Sequence, residues 1–157
     1  QIRYALSSYA DLAFLIPVGF KVSDPPPQKF LIFFNTIPES INASCSLCQH
    51  LPLELSVNIK WFHTDMLTIY KEVELENLMS GETWGLCITA SFGMGMDVAD
   101  IFLVIQWRET CKIVTLWQQF GCAVWNQELT GTALLLAEKQ YFDDEQEAKA
   151  ARKMRQE

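Results

Sequence analysis

Thr89-Ala90-Ser91-Phe92-Gly93-Met94-Gly95-Met96-Asp97 is the stretch whose residue types and spacing best suit ligand chemistry. Glycines one residue apart let the backbone come close to a phosphate, and a carboxylate closing the turn can accept hydrogen bonds from ribose hydroxyls. The stretch lies between two apolar runs, Gly85 to Ile88 and Ile101 to Trp107. It therefore reads as a tight turn between strands of an α/β sheet, where such domains bind ligands. It is not a Walker phosphate loop, because no G-x-x-x-x-G-K-[ST] occurs anywhere in the chain.

Thiol chemistry is the other candidate. Cys45 and Cys48 form a C-x-x-C, but Cys87, Cys111, Cys122, His50 and His63 supply no second pair at zinc-ligand spacing, so no metal is expected. Helical spacing puts both thiols on one face of an expected helix, where buried cysteine acts as a small apolar residue. Five cysteines, odd in number and irregular in spacing, argue against a secreted disulfide framework and for a reduced, intracellular chain.

Charge limits the partners. The net charge is −7, the wrong sign for a protein that grips nucleic acid over its whole surface. Residues 1–138 carry seven basic and fourteen acidic groups and 139–157 carry five of each, so any DNA contact must be local or shared. The longest apolar runs, such as Phe30 to Phe34 and Ala133 to Ala137, fall far below the roughly 18 residues of a membrane span, and no membrane partner is expected. The first residues, Gln1-Ile2-Arg3-Tyr4, contain neither an initiator Met nor a leader pattern, as expected of a trimmed domain.

These residues need a scaffold, and the apolar pattern supplies one. Ser7 to Ile16 reads as a short serine-capped helix ended by Pro17, and Asp24 to Gln28 as a stiff proline connector. Phe30-Leu31-Ile32-Phe33-Phe34 is apolar on both faces, as in a central parallel strand. A helix follows over Pro38 to His50, capped by Thr36, with Ile41, Cys45, Leu47 and Cys48 inward. Asn58 to His63 is the second strand. Thr64 or Asp65 caps the next helix, Leu67 to Leu78, with Leu67, Tyr70, Val73 and Leu78 inward, opposite Lys71, Glu72, Glu74 and Glu76. Ser80-Gly81 stops it. Leu86 to Thr89, Phe102 to Trp107 and Thr132 to Ala137 are further strands, Thr110 to Ala123 a helix, and Lys139 to Arg155 a charged terminal helix. The alternation predicts an α/β domain with a mostly parallel sheet and helices on both faces. Its parts are a lead-in helix and connector (1–28), the domain proper (29–138) and a charged helical tail (139–157).

Taken together, the segments resemble the second RecA-like domain of superfamily 2 helicases, and most closely the RecQ-like ATP-dependent DNA helicases. Phe30 to Thr36 is similar to helicase motif IV, Trp61-Phe62-His63-Thr64-Asp65-Met66 to the segment after it, and Thr89 to Asp97 to motif V. Phe-Gly-Met-Gly-Met-Asp is the sharpest match. The resemblance implies a RecA-like three-layer domain whose Gly93, Met94, Gly95 and Asp97 face a nucleotide held against a first RecA-like domain. It also implies DNA contacts from Asn35, Thr36, His63, Thr64 and Thr89, and a nuclear location. For His63, a hydrogen-bonded strand-end histidine is an equal alternative.

Motif VI departs from the family pattern Gln-x-x-Gly-Arg-x-x-Arg. Gln118 and Gly121 remain, but Cys122 and Trp125 stand at the arginine positions. In the family those arginines reach the γ-phosphate, and an arginine finger contributes roughly 10³ to 10⁵ in rate to phosphoryl transfer. Cys122 and Trp125 cannot donate a charged fork, so no catalytic residue is assigned. The Walker loop and D-E-x-H of a first domain are also absent from these residues, so ATP and Mg²⁺ are expected only with that domain. The expected function is the C-terminal half of a 3′–5′ DNA helicase, catalytically impaired. The alternative is a non-catalytic nucleic-acid or protein-interaction module that keeps the fold.

Overall fold

Five consecutive apolar residues in one strand can all be buried only if both faces of the sheet are covered. Phe30–Phe34 forms that strand, β1, and all five residues are buried. The computed structural model describes residues 1–63, 65–89, 101–108, 112–121 and 130–155. The other strands are β2 (Ile59–Phe62), β3 (Gly85–Thr89), β4 (Leu103–Trp107) and β5 (Thr132–Leu136). They lie in the order β2-β3-β1-β4-β5, and every neighbouring pair is parallel.

The helices are α1 (Ile37–Cys48), α2 (Thr68–Ser80), α3 (Ile113–Phe120) and α4 (Asp143–Met154). The crossover from β1 to β2 runs one way along the sheet, and that from β2 to β3 runs back. Right-handed crossovers must then put α1 and α2 on opposite faces. Packing agrees. Phe30, Ile32 and Phe34 join Ala43 and Leu47 of α1 and Tyr9, Leu12 and Leu15 of the N-terminal segment in one core. Leu31 and Phe33 join Phe62, Leu78 of α2 and, at its margin, Phe120 of α3 in the other. This is the three-layer RecA-like α/β architecture.

Local signals acted as expected at several boundaries. The Thr36 hydroxyl accepts from the Glu39 N–H at 3.3 Å and caps α1, with Pro38 in the first turn. Gly81 ends α2 at φ 89°, a left-handed conformation that suits glycine.

Three readings change. The segment expected as one helix over Ser7 to Ile16 is two 3-10 turns, Leu6–Ser8 and Ala10–Leu15, split by Tyr9 at φ 52°. The Asp11 carboxylate accepts from the Arg3 and Tyr4 N–H groups, and Ile2 N–H donates to Ala137 O at 2.7 Å, so the lead-in is tied to the strand end rather than free to wind. Along α1 the buried positions are Ser40, Ala43, Ser44 and Leu47, which leaves Cys45 exposed and Cys48 and Ile41 half-buried. Along α2 the buried residues are Glu74 and Leu78, while Leu67, Tyr70 and Val73 are exposed.

Glu74 is the reason for the rotated α2. Its carboxylate accepts from Lys60 Nζ of β2 at 2.7 Å and from the Thr83 hydroxyl at 3.4 Å. A lysine projecting from a short strand needs an acid when both are drawn beneath a helix, and Glu74 supplies it. Lys60→Met would strand that carboxylate and is expected to cost about 3 kcal/mol, whereas Lys60→Met with Glu74→Met should stay within about 1 kcal/mol of the parent. Urea unfolding reads both; a single variant as stable as the double would contradict the pairing.

Gly85 has a packing role. It pairs with Phe30 across the β1–β3 ladder, and a Cβ there would overlap the Cζ and Cε atoms of the Phe30 ring. Gly85→Ala is expected to destabilise the domain by about 1–3 kcal/mol through overpacking, and Phe30→Leu in the same chain should recover part of the loss. Equal urea midpoints for Gly85→Ala and the parent would refute the close approach.

Candidate nucleic-acid interface

In an open parallel sheet the carboxyl ends of the strands form the binding edge. Parallel register fixes which side chains meet there. Phe62, Ile88 and Phe33 lie level across β2, β3 and β1, and Thr89 pairs with Phe34. His63, one residue past Phe62, therefore stands level with Thr89, one strand spacing away, about 4.8 Å in a regular sheet. Asn35 and Thr36 follow Phe34 on the same edge and are exposed. The structure thus brings His63, Thr89, Asn35 and Thr36 into one row.

Each member of the row has a local constraint. Thr89 is buried at the end of β3. Thr36 already spends its hydroxyl on the α1 cap. His63 is held in two ways: its ring stacks on Trp61 with centroids 5.5 Å apart and planes at 6°, and its Nδ1 accepts from the Asp65 N–H at 3.3 Å. Trp61 was not singled out by sequence reasoning. The i, i+2 spacing of two aromatic rings on a strand was the available signal.

The other half of the edge, at β4 and β5, is self-neutralised. Arg108 follows β4 in a left-handed conformation, φ 68°, and its N–H donates to Leu136 O at 2.7 Å. The guanidinium donates through Nε to Glu138 at 2.8 Å and through Nη1 to Glu39, in the first turn of α1, at 3.3 Å. The Glu138 hydrogen bond, foremost among the contacts, raises the Arg108 pKa. Arg108 is thus a clamp across α1, β4 and the end of β5, with its charge already compensated. A cleft of about 570 Å³ beside it is lined by Arg108, Glu138, Lys139, Glu145 and Lys149, where Lys139 and Glu145 also pair, at 2.7 Å.

The remaining sequence-derived sites fall in three places. Gln118 is exposed near the end of α3 and Gly121 is its C-cap, while the neighbouring Gln119 is the buried one, with neither amide atom hydrogen-bonded. Thr64, Gly93, Met94, Gly95, Asp97, Cys122 and Trp125 lie outside the described residues. Among the described residues no three His, Cys, Asp or Glu side chains gather as a metal site, and no helix is long and apolar enough to cross a membrane. Burial pushes the Cys87 thiol well above its usual range and raises that of Cys48, which donates to Ser56 O at 3.0 Å; both are held as protonated thiols.

No protein-family model and no curated protein matches the chain. Solved structures do resemble it. The Mycobacterium smegmatis helicase Lhr, bound to ssDNA and AMP-PNP, aligns over 71% of this chain with TM-score 0.58 and 18% identity. The Escherichia coli DEAD-box protein SrmB, bound to the regulator of ribonuclease activity A, aligns over 87% with TM-score 0.69 and 16% identity. Domain 2 of the DEAD-box helicase Mss116p, bound to an RNA duplex, aligns over 78% with TM-score 0.57 and 17% identity. The chain spans 15%, 75% and 48% of those three chains, respectively. At these identities the likeness is one of fold: the chain has the RecA-like α/β fold found in these helicase structures.

Proposed function

We propose that this chain is the second RecA-like domain of a RecQ-like 3′–5′ DNA helicase, a nuclear enzyme, with impaired ATP hydrolysis. The observation that carries the reading is the row of His63, Thr89, Asn35 and Thr36 on adjacent strand ends, assembled from three separate sequence segments. A strand of DNA lies along that row. Gly93, Met94, Gly95 and Asp97 are the residues assigned to ATP and Mg²⁺, with a first RecA-like domain, in the same or another chain, completing the site.

Impairment follows from charge. Cys122 and Trp125 replace the two motif VI arginines, and Arg108 is spent on Glu39 and Glu138. No permanently charged fork is left over from that clamp to meet transition-state charge. The same observation favours a second reading, a module that binds a nucleic acid or a protein without turnover.

The isolated chain, given ATP, Mg²⁺ and single-stranded DNA, is expected to release no phosphate above a buffer blank; measurable turnover would overturn the impairment. At low salt it should bind a labelled DNA strand more tightly than the same RNA sequence, and Asn35→Ala with His63→Ala should weaken binding roughly tenfold by removing two polar contacts. Absence of DNA binding where electrostatics are strongest would remove the DNA role, and a preference for RNA would remove the RecQ-like assignment. In a chain carrying the first domain, Cys122→Arg with Trp125→Arg should raise ATPase activity.

A further inference from the structure

Edge strand β2 has a cleft along its open side. The cleft measures about 300 Å³ and runs between α1 and α2, with Lys60 and Trp61 of β2 on its floor, Cys45 of α1 on one wall and Tyr70 of α2 on the other. Its aromatic walls are ordered: Trp61 stacks on His63, and Tyr70 stacks on Phe62 with centroids 6.2 Å apart and planes at 23°. Trp61 is half-buried and packs against the core on the α1 side, Tyr70 is 40% exposed, and both rings line the cleft. The floor charge is also fixed, because Lys60 is held by Glu74 at 2.7 Å.

We infer that this cleft is a nucleobase site: one base of a single strand that passes His63 turns into it and packs against Trp61 and Tyr70. The inference rests on the proposed nucleic-acid role of the strand-end row and names the part of the substrate that the row does not reach. Trp61 lies two residues back along β2 from His63, roughly 6.6 Å at 3.3 Å per residue, and its ring stacks on that of His63, so the cleft adjoins the row through this pair. Phosphate contacts position a strand, whereas stacking on aromatic side chains holds its bases and tolerates any base, because each has a π-face. Two aromatic rings beside a lysine stem, in an open cleft larger than one base, suit that ligand. Stacking does not itself call for positive charge, so it can hold a base locally on a chain whose net charge of −7 opposes broad phosphate contact.

Fluorescence anisotropy at low salt, with labelled oligo-dT and the same oligonucleotide made abasic, tests the site on the intact chain. Trp61→Leu, which keeps an apolar side chain but loses the ring, should weaken oligo-dT binding roughly 5- to 160-fold, the range for one stacked base, while Trp61→Phe stays within about threefold of the parent. The abasic strand should bind parent and Trp61→Leu alike. Alkylation of exposed Cys45 with N-ethylmaleimide should block oligo-dT binding in the parent and leave Cys45→Ser unaffected, a readout that holds even if Trp61→Leu fails to fold. If the parent binds both strands equally, or Trp61→Leu binds oligo-dT as the parent does, the base site is overturned and the strand-end reading stands. If the parent binds neither strand, both fall.

Discussion

Burial of β1 on both faces is the constraint on which the rest depends. A strand of three phenylalanines, a leucine and an isoleucine has no face to give to water, so helices or turns must cover each side. That requirement places α1 and the N-terminal turns on one face and α2 and α3 on the other, and it fixes β1 in the middle of the sheet order. It also determines the binding edge. With β2 and β3 paired in register on one side of β1, His63 and Thr89 emerge level with Phe34, and Asn35 follows one residue beyond. The row of polar residues is a consequence of the core.

Much of this was legible in the residues, and the failures have physical causes. The strands were readable because their apolar runs are short, β-rich and bounded by turn signals; Thr36, Pro38 and Gly81 marked helix ends by capping and φ preference. Helix faces were harder. The apolar positions of α2 pointed to Leu67, Tyr70 and Val73 as the inner face, but the cost of leaving Lys60 unpaired is decided between β2 and α2, beyond the reach of periodicity within one helix. Cys45 misled for a similar reason: Ser40 and Ser44 take the inner positions of α1, their hydroxyls bonded to Ile37 O and Ile59 O, so polar residues occupy the face that the thiols were expected to fill. In the N-terminal turns, Asp11 bonds to backbone N–H groups eight and seven residues away, a contact that local pattern does not encode.

The candidate site divides in the same way. His63, Thr89, Asn35 and Thr36 were found through motif resemblance, and register alone then made them neighbours. Arg108 matches no motif position, and nothing local in the sequence marks its role. Its role depends on Glu39 and Glu138, which are 69 and 30 residues away. Such a three-element ion pair is half-buried, so it is screened less than a surface bridge and holds α1, β4 and the end of β5 at one corner. A guanidinium in that position acts as a strut, not a free cation.

The two halves of the edge therefore have different electrostatic capacity. The β4–β5 half is closed on itself by Arg108, and any anion entering there would have to compete with two carboxylates already in contact with the charge. The β2–β3–β1 half presents neutral donors and aromatic rings, with Lys60 held to Glu74 behind them. Neutral groups can hold a strand, because hydrogen bonds and stacking act on a ground state whose charge is already shared with solvent. They are poorly suited to the charge that develops in phosphoryl transfer, which calls for a fork that stays charged and is not engaged elsewhere. Under the proposed function, a strand-end row of uncharged donors beside an arginine that serves as a strut accounts for recognition without turnover.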